Sequence, residues 1–269
     1  MDTLAEDLIA TVESLRRRTA DGENTVHAFE TTYQELHAVP YLAGSPFEQF
    51  NSSVGEVTGY RTADGAIAES PYTAFEDLFR GPPERVTELQ RPYIGLVGEH
   101  QPVVDLGCGR GEFLALLASH EIAAHGVDND PGMVARCRAR GLEADLAEAN
   151  EYLEGLGDAT IGTIFSAQVI EHVPFDELRR LMELSLRKLK PGGLFIAETV
   201  NPHSTQALKT FWVDPTHKHP IFPEVALALC AIAGFAPAFV FAPGYQHFEQ
   251  AKFASTAYAV VASAPMVGL

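Results

Sequence analysis

Gln168, Glu171 and His172 stand in the stretch AQVIEHVP at 167–174, and Asp214, His217 and His219 stand in WVDPTHKHP at 212–220. An amide, a carboxylate and an imidazole at i, i+3 and i+4 project to one side of a turn. A carboxylate beside an imidazole is a common ligand pair for divalent ions. The same groups can act as general bases toward a hydroxyl. The second segment places two histidines around Lys218 and stiffens them with Pro215 and Pro220. Such a pair in a loop of fixed φ points to a site more than to packing. The expectation is that His217 meets Glu171 and His172 across a pocket and that the three bind a metal or move a proton. The competing expectation is plainer: Glu171 caps the next helix, His172 packs, and the later histidines are solvated.

Such groups act only if the chain holds them over a ligand. An apolar run at 161–166 leads into Gln168, and LFIAETVNP at 194–202 leads toward the histidine segment. Both should end at the carboxyl edge of a parallel sheet, where open α/β sheets bind their ligands. Apolar runs predict strands near 102–106, 123–127, 142–144, 161–166, 193–199, 238–242 and 255–262. Helical spacing predicts helices near 111–119, 131–140, 147–154, 176–189 and 223–233. The helix at 176–189 carries Leu178, Leu181, Met182, Ser185, Leu186 and Leu189 on one face and ends at Lys190-Pro191-Gly192-Gly193. This alternation predicts an α/β fold: a doubly wound, seven-stranded, mostly parallel sheet. The last two strands are joined through Pro243-Gly244 with no room for a helix, so they should pair antiparallel.

Ahead of this lies a helix over 3–38, with Leu4, Leu8, Val12 and Leu15 on one face. A Gly/Ser/Thr/Pro-rich loop or lid over 40–70 follows, carrying Tyr41, Phe47, Phe50 and Tyr60. A helix over 74–97, interrupted at Gly81-Pro82-Pro83, completes the lead-in. The reading divides the chain into an N-terminal helix and lid segment, 1–74, and a cofactor-binding domain, 75–269.

VVDLGCGRGEF at 103–113 runs from a buried strand through a glycine turn into a helix. Gly107, Gly109 and Gly111 let the backbone approach a ligand closely, and the helix start supplies N–H groups. Asp105 before the first glycine, with GxGxG spacing, suits a cationic amino-acid head group better than a pyrophosphate. The next strand ends in Asp128, 23 residues after Asp105, where a carboxylate can accept both hydroxyls of a ribose. Asp145 and Leu146 end the third strand, where a side chain and a backbone N–H can read an adenine edge.

Taken together, the glycine turn, Asp128, Ala144-Asp145-Leu146 and the terminal hairpin resemble a class I S-adenosylmethionine-dependent methyltransferase over roughly 75–262. The resemblance implies S-adenosylmethionine as cofactor, with Asp105, Gly107, Gly109, Gly111, Asp128, Asp145, Leu146 and Gln168 around it. AQVIEHVP is also similar to the Glu-x-x-Glu-His element of ubiquinone-pathway O-methyltransferases and of plant-type small-RNA 2′-O-methyltransferases. There both glutamates and the histidine bind a divalent ion, and a later histidine completes the RNA enzyme's site. By position Glu171 and His172 match, while Gln168 replaces the first glutamate with a neutral amide. The set this implies is Glu171, His172 and His217, holding Mg²⁺ or Mn²⁺. FEDLFRGPPERVTELQRPYIGLV at 75–97, with DPTHKHP, resembles bacterial methyltransferases of polysaccharide synthesis, including those acting on mannose or glucose chains. This implies O-methylation of a small-molecule or oligosaccharide acceptor. A phenol or quinone-precursor acceptor, or a cofactor-binding protein without catalysis, stay open beside it.

The bulk numbers narrow the partners. With 19 basic and 36 acidic residues the net charge is −17, which disfavours a nucleic-acid backbone. Cys108, Cys137 and Cys230 form no CxxC pattern and read as reduced thiols. MDTLAEDLIATVESL is acidic and amphipathic, unlike a signal peptide, and no apolar run approaches a membrane span. The expectation is a cytoplasmic enzyme with no nucleic-acid or membrane partner; a homodimer is compatible with it.

Overall fold

The structure, a computed structural model, describes residues 11–13, 15, 16, 19, 22, 26, 48–59, 82–245 and 248–266. The chain divides into two units, 1–39 and 40–269. In the first, the described residues between 11 and 26 are helical and exposed, Val12 and Leu15 included. Leu4 and Leu8, which complete the expected apolar face, lie outside the described residues.

In the second unit β1 (Glu48–Ser52) and β2 (Gly55–Gly59) form an antiparallel hairpin, with Phe50 opposite Val57. This corrects the expectation of a continuous loop over 40–70: a two-residue turn at Ser53-Val54 closes the ladder. Tyr41, Phe47 and Tyr60 lie outside the described residues. Of the expected helix over 74–97, residues 74–81 lie outside the described residues, and 83–97 form α1 (Pro83–Gln90), a 3₁₀ turn (Arg91–Tyr93) and α2 (Ile94–Val97).

The remaining strands are β3 (Val103–Leu106), β4 (Ala124–Asp128), β5 (Ala144–Leu146), β6 (Ile161–Ala167), β7 (Leu189–Val200), β8 (Ala238–Phe241) and β9 (Ala257–Ser263). They form one sheet in the order β5-β4-β3-β6-β7-β9-β8, parallel except for β9, which runs antiparallel to both β7 and β8. β3 and β6 are buried along their whole length, as central strands covered on both faces must be. The third strand of this sheet begins two residues later than expected, so that Asp145 and Leu146 belong to it.

The helices are α3 (Glu112–Ser119), α4 (Pro131–Ala139), α5 (Ala149–Gly155), α6 (Phe175–Lys188), α7 (Thr205–Phe211), α8 (Pro223–Ala233) and a single turn, α9 (Phe248–Ala251). Local chemistry sets their ends. Asp130 caps α4, accepting from the N–H groups of Gly132 at 2.8 Å and Met133 at 3.0 Å, with Pro131 in the first turn. α6 buries Leu178, Leu181, Met182 and Ser185, places Asp176 and Glu177 in its first turn and ends on Arg187 and Lys188. Two elements depart from the sequence reading. α7 was not expected, and α9 occupies the connection between the last two strands that was expected to be too short for a helix.

Candidate functional site

The carboxyl ends of β3, β4, β6 and β7 open onto a cavity of about 1210 Å³, whose walls include Gly107, Gly109, Asp128, Gln168, His172 and Glu198. The turn after β3 shapes one side. Gly107, Gly109 and Gly111 have φ of +71°, +53° and +77°, a region costly for side-chain-bearing residues. A Cβ on Gly107 would collide with Val169 Cγ2. Gly111 serves packing instead: a Cβ there would lie 2.8 Å from Cys137 Sγ, so its bareness lets α3 approach α4. Asp128 closes this side. Its Oδ2 accepts from Gly109 N–H at 2.8 Å and its Oδ1 from Asp130 N–H at 2.9 Å. A carboxylate offers about four acceptor positions, so the group that braces the turn can also take a vicinal diol. The cradle therefore fits an adenosine-bearing cofactor approached by bare backbone.

On the opposite side, β6 ends at Ala167, Gln168 takes φ +57°, and a 3₁₀ turn (Ile170–His172) follows. That turn buries Glu171 completely while His172 faces the cavity. The 212–220 segment is joined to it by Lys218 N–H donating to the Glu171 carbonyl at 2.9 Å. This contact brings His217 onto the cavity wall, its ring 4.5 Å from that of His172 and 4.3 Å from that of Phe211. One donor atom each from Glu171, His172 and His217 lies within 4.8 Å of the others.

Hydrogen bonds fix what these atoms are. His217 Nδ1 lies 2.6 Å from the Phe211 carbonyl oxygen, which can only accept, so Nδ1 carries the proton and Nε2 the lone pair. His172 Nδ1 lies 2.9 Å from Thr216 Oγ1, and Thr216 donates its own proton to Asp214 Oδ1 at 2.6 Å. Thr216 must then accept from His172 Nδ1–H, which again leaves the lone pair on Nε2. Asp214 Oδ2 stands 3.8 Å from His217 Nε2. Both carboxylate oxygens of Glu171 are buried without a hydrogen-bond partner, and the nearby Thr199 hydroxyl is likewise unbonded. Burial, against the opposing pull of its own backbone N–H and the Thr199 hydroxyl and with smaller help from Glu198 and Asp214, pushes the Glu171 carboxyl up to about 8. Three electron-pair donors around one point, one of them a carboxylate denied water, fit a divalent cation. Without one, burial favours the protonated form of Glu171 below about pH 8.

Gln168 does not join this trio: its amide donates to Glu198 Oε1 at 3.3 Å. The Tyr93 hydroxyl donates to the other oxygen of Glu198. Tyr93 is wholly buried, its ring edge-on to Phe165 at 5.0 Å, and burial beside Glu198 raises its hydroxyl far above the usual range. Asp105 is buried in β3, and neither it nor Gly111, Asp145 or Leu146 lines the cavity. Asp145 is engaged instead by His125 at 3.0 Å and Arg138 at 3.6 Å, and Asn129 and Glu148 line the cavity nearby. His219 is not part of the three-donor group. Phe211 packs beneath His217, and Trp212 is exposed. The sequence reading missed Thr216 as a partner of His172 and Tyr93 as a partner of Glu198. The Asp-Pro-Thr-His order carried a signal for the first; 105 residues separate the second pair.

Residues 104–197 match the family described as "Methyltransferase domain". The chain is 31% identical over 133 residues to a protein of Mycolicibacterium smegmatis named "probable S-adenosylmethionine-dependent methyltransferase", covering 49% of this chain and 51% of that one. A ubiquinone biosynthesis O-methyltransferase of Xylella fastidiosa is 29% identical over 104 residues, 37% of this chain and 42% of that one. The chain thus spans about half the length of the curated relatives it matches. Among solved structures, a SAM-dependent methyltransferase from Archaeoglobus fulgidus superposes with a TM-score of 0.65 and 28% identity, over 72% of this chain and all of that one.

Proposed function

We propose that this chain, whose residues 104–197 form a class I S-adenosylmethionine-dependent methyltransferase domain, methylates a hydroxyl oxygen of a sugar. In this reading Glu171, His172 and His217 hold a divalent cation, Mg²⁺ or Mn²⁺. The acceptor is a mono- or oligosaccharide, such as a precursor of a mannose- or glucose-based polysaccharide. The observation that carries the reading is the convergence of three donor atoms within 4.8 Å, two of the residues lining the same cavity as the glycine turn and Asp128.

Methyl transfer from a sulfonium is an in-line displacement, and alignment alone can supply ~7–11 kcal/mol. Gly107, Gly109 and Asp128 hold the donor on one side of the cavity. His172 and His217 meet the acceptor on the other. Each presents an Nε2 lone pair, which would hold the cation when one is bound; with none bound, either can take the proton that the acceptor hydroxyl must lose. A cation held by Glu171, His172 and His217 would lower the acceptor hydroxyl's pKa and help hold it in place. The net charge of −17 favours a neutral acceptor over a polyanionic one. The three cysteines are free and buried, which suits a reducing cytoplasm. Among the described residues no helix is long and apolar enough to cross a membrane.

The likeness to the Xylella fastidiosa enzyme favours a second reading, a phenolic quinone precursor as acceptor. The test is transfer of labelled methyl from S-adenosylmethionine to a panel of neutral sugars, mannose and glucose oligosaccharides and catechols. Methylated sugar is expected, with loss on chelation and recovery on adding Mn²⁺. His217→Ala should slow transfer by about 100-fold or more. Transfer to catechols alone would establish the second reading, and an undiminished His217→Ala enzyme would remove the trio from the chemistry.

A further inference from the structure

We propose that Thr216 and Asp214 are positioning residues for the three-donor group: through the Thr216 hydroxyl, the Asp214 carboxylate fixes the His172 ring so that Nε2 is its electron-pair donor. The inference rests on the cation-binding reading above and adds to it the device that prepares one of the ligands.

The three donors are held by different means. His217 is oriented by a main-chain carbonyl, that of Phe211. The turn carrying Glu171 is tied to the histidine segment by a main-chain bond, Lys218 N–H to the Glu171 carbonyl. His172 is oriented by side chains. The relay runs His172 Nδ1–H to Thr216 Oγ1 at 2.9 Å, then Thr216 Oγ1–H to Asp214 Oδ1 at 2.6 Å. Its direction is forced, because an ionised carboxylate only accepts. Asp214 Oδ1 also accepts Thr216 N–H at 2.7 Å, which closes a tight turn across Pro215 and sets the hydroxyl in place. A hydroxyl is the one side-chain group of this size that can accept from an imidazole while donating to a carboxylate. Valine matches threonine in shape and does neither. An acceptor behind a ligating imidazole also makes the ring a better donor, and losing such partners typically costs 10–100-fold in metal affinity.

The experiment titrates the full chain, stripped of metal, with Mn²⁺ alone by calorimetry, for the wild type, Thr216→Val and Thr216→Ser. Affinity for S-adenosylhomocysteine and the thermal midpoint serve as controls for folding. Thr216→Val is expected to bind Mn²⁺ about 10–100-fold more weakly, with both controls near wild type, and Thr216→Ser to recover most of the loss. Equal Mn²⁺ affinity in Thr216→Val and wild type overturns the proposal. If the wild type takes up no Mn²⁺, the cation reading fails by itself. Nitrogen-15 NMR of the metal-free wild type then judges the relay, as it also does if Thr216→Val does not fold. A proton on Nδ1 of His172 upholds it, and a proton on Nε2 overturns it.

Discussion

Glu171 is a carboxyl group that water does not reach, and burial outweighs the neighbouring N–H and hydroxyl groups that favour its charged form, so its proton is hard to remove. Its folded-state value, about 8, lies above the ordinary 4.5. The folded protein thus holds this proton over a range in which the unfolded chain has released it. In the cation-free protein the resulting stability is complete below about pH 4.5, declines as pH rises toward 8, and is gone above it. The change amounts to a few kcal/mol at most. Glu171→Gln keeps the shape and removes the titration, so the difference in urea-unfolding free energy between variant and wild type, measured with chelator present, should grow in the variant's favour from pH 5 to 8. A constant difference would show that folding does not raise the carboxyl's proton affinity and that it is ionised in both states across that range. At this scale the role of Thr216 was not readable, but the chemical types of Glu171-His172 and of His217 were. Their tautomers were not, because the Phe211 carbonyl and the Asp214 carboxylate that decide them come together only in the folded segment.

Gly107 shows how an element, rather than a residue, makes the cofactor cradle. Its φ of +71° and the closeness of Val169 both exclude a Cβ. Gly107→Ala should cost about 1–3 kcal/mol and weaken binding of S-adenosylhomocysteine. Adding Val169→Ala should return the part due to collision and leave the part due to the dihedral, a split that a double-mutant cycle of binding and unfolding measures. A second element-scale contact lies where the histidine segment rejoins the sheet. The buried Tyr258 of β9 donates its hydroxyl to the Ile221 carbonyl at 2.9 Å. Tyr258→Phe leaves that carbonyl unsatisfied and should lower stability by about 1–3 kcal/mol in a denaturant titration. The central strands were legible because burial on both faces demands continuous apolar runs. α7 was not: of its seven residues only Ala207 and Phe211 are buried, too few to show a period, although Ser204 caps it, accepting from Ala207 N–H. The hairpin at 48–59 hid in the same way, since Phe50 and Val57 are the apolar pair on its described ladder.

Over the whole molecule, the excess of acidic residues bears on which acceptors arrive. With a net charge of −17, the long-range field repels anions and leaves neutral molecules unaffected. If a sugar is the acceptor, kcat/KM for a neutral one should therefore stay nearly flat as sodium chloride is raised. A sugar phosphate should be the poorer acceptor at low salt and improve as screening shortens the reach of the field. An equally flat response from both would mean that local charges in the cavity decide selection. The seven-stranded, mostly parallel sheet was legible, though not its strand order, because four separate signals pointed to one family that has it: the glycine turn, Asp128, the third-strand end and the terminal pair. The place of the trio was legible from topology, since two adjacent parallel strands, β6 and β7, must deliver their trailing segments to one edge.

The bond from Lys218 N–H to the Glu171 carbonyl joins positions 47 apart in sequence, and Lys218 itself is exposed. An ion seated among Glu171, His172 and His217 would rivet the same two turns a second time, and anything that binds only the folded form shields it from digestion by mass action. Trypsin offers a gauge of that rivet: nicking after Lys218 should be slow with Mn²⁺ present and quicken when the ion is stripped away.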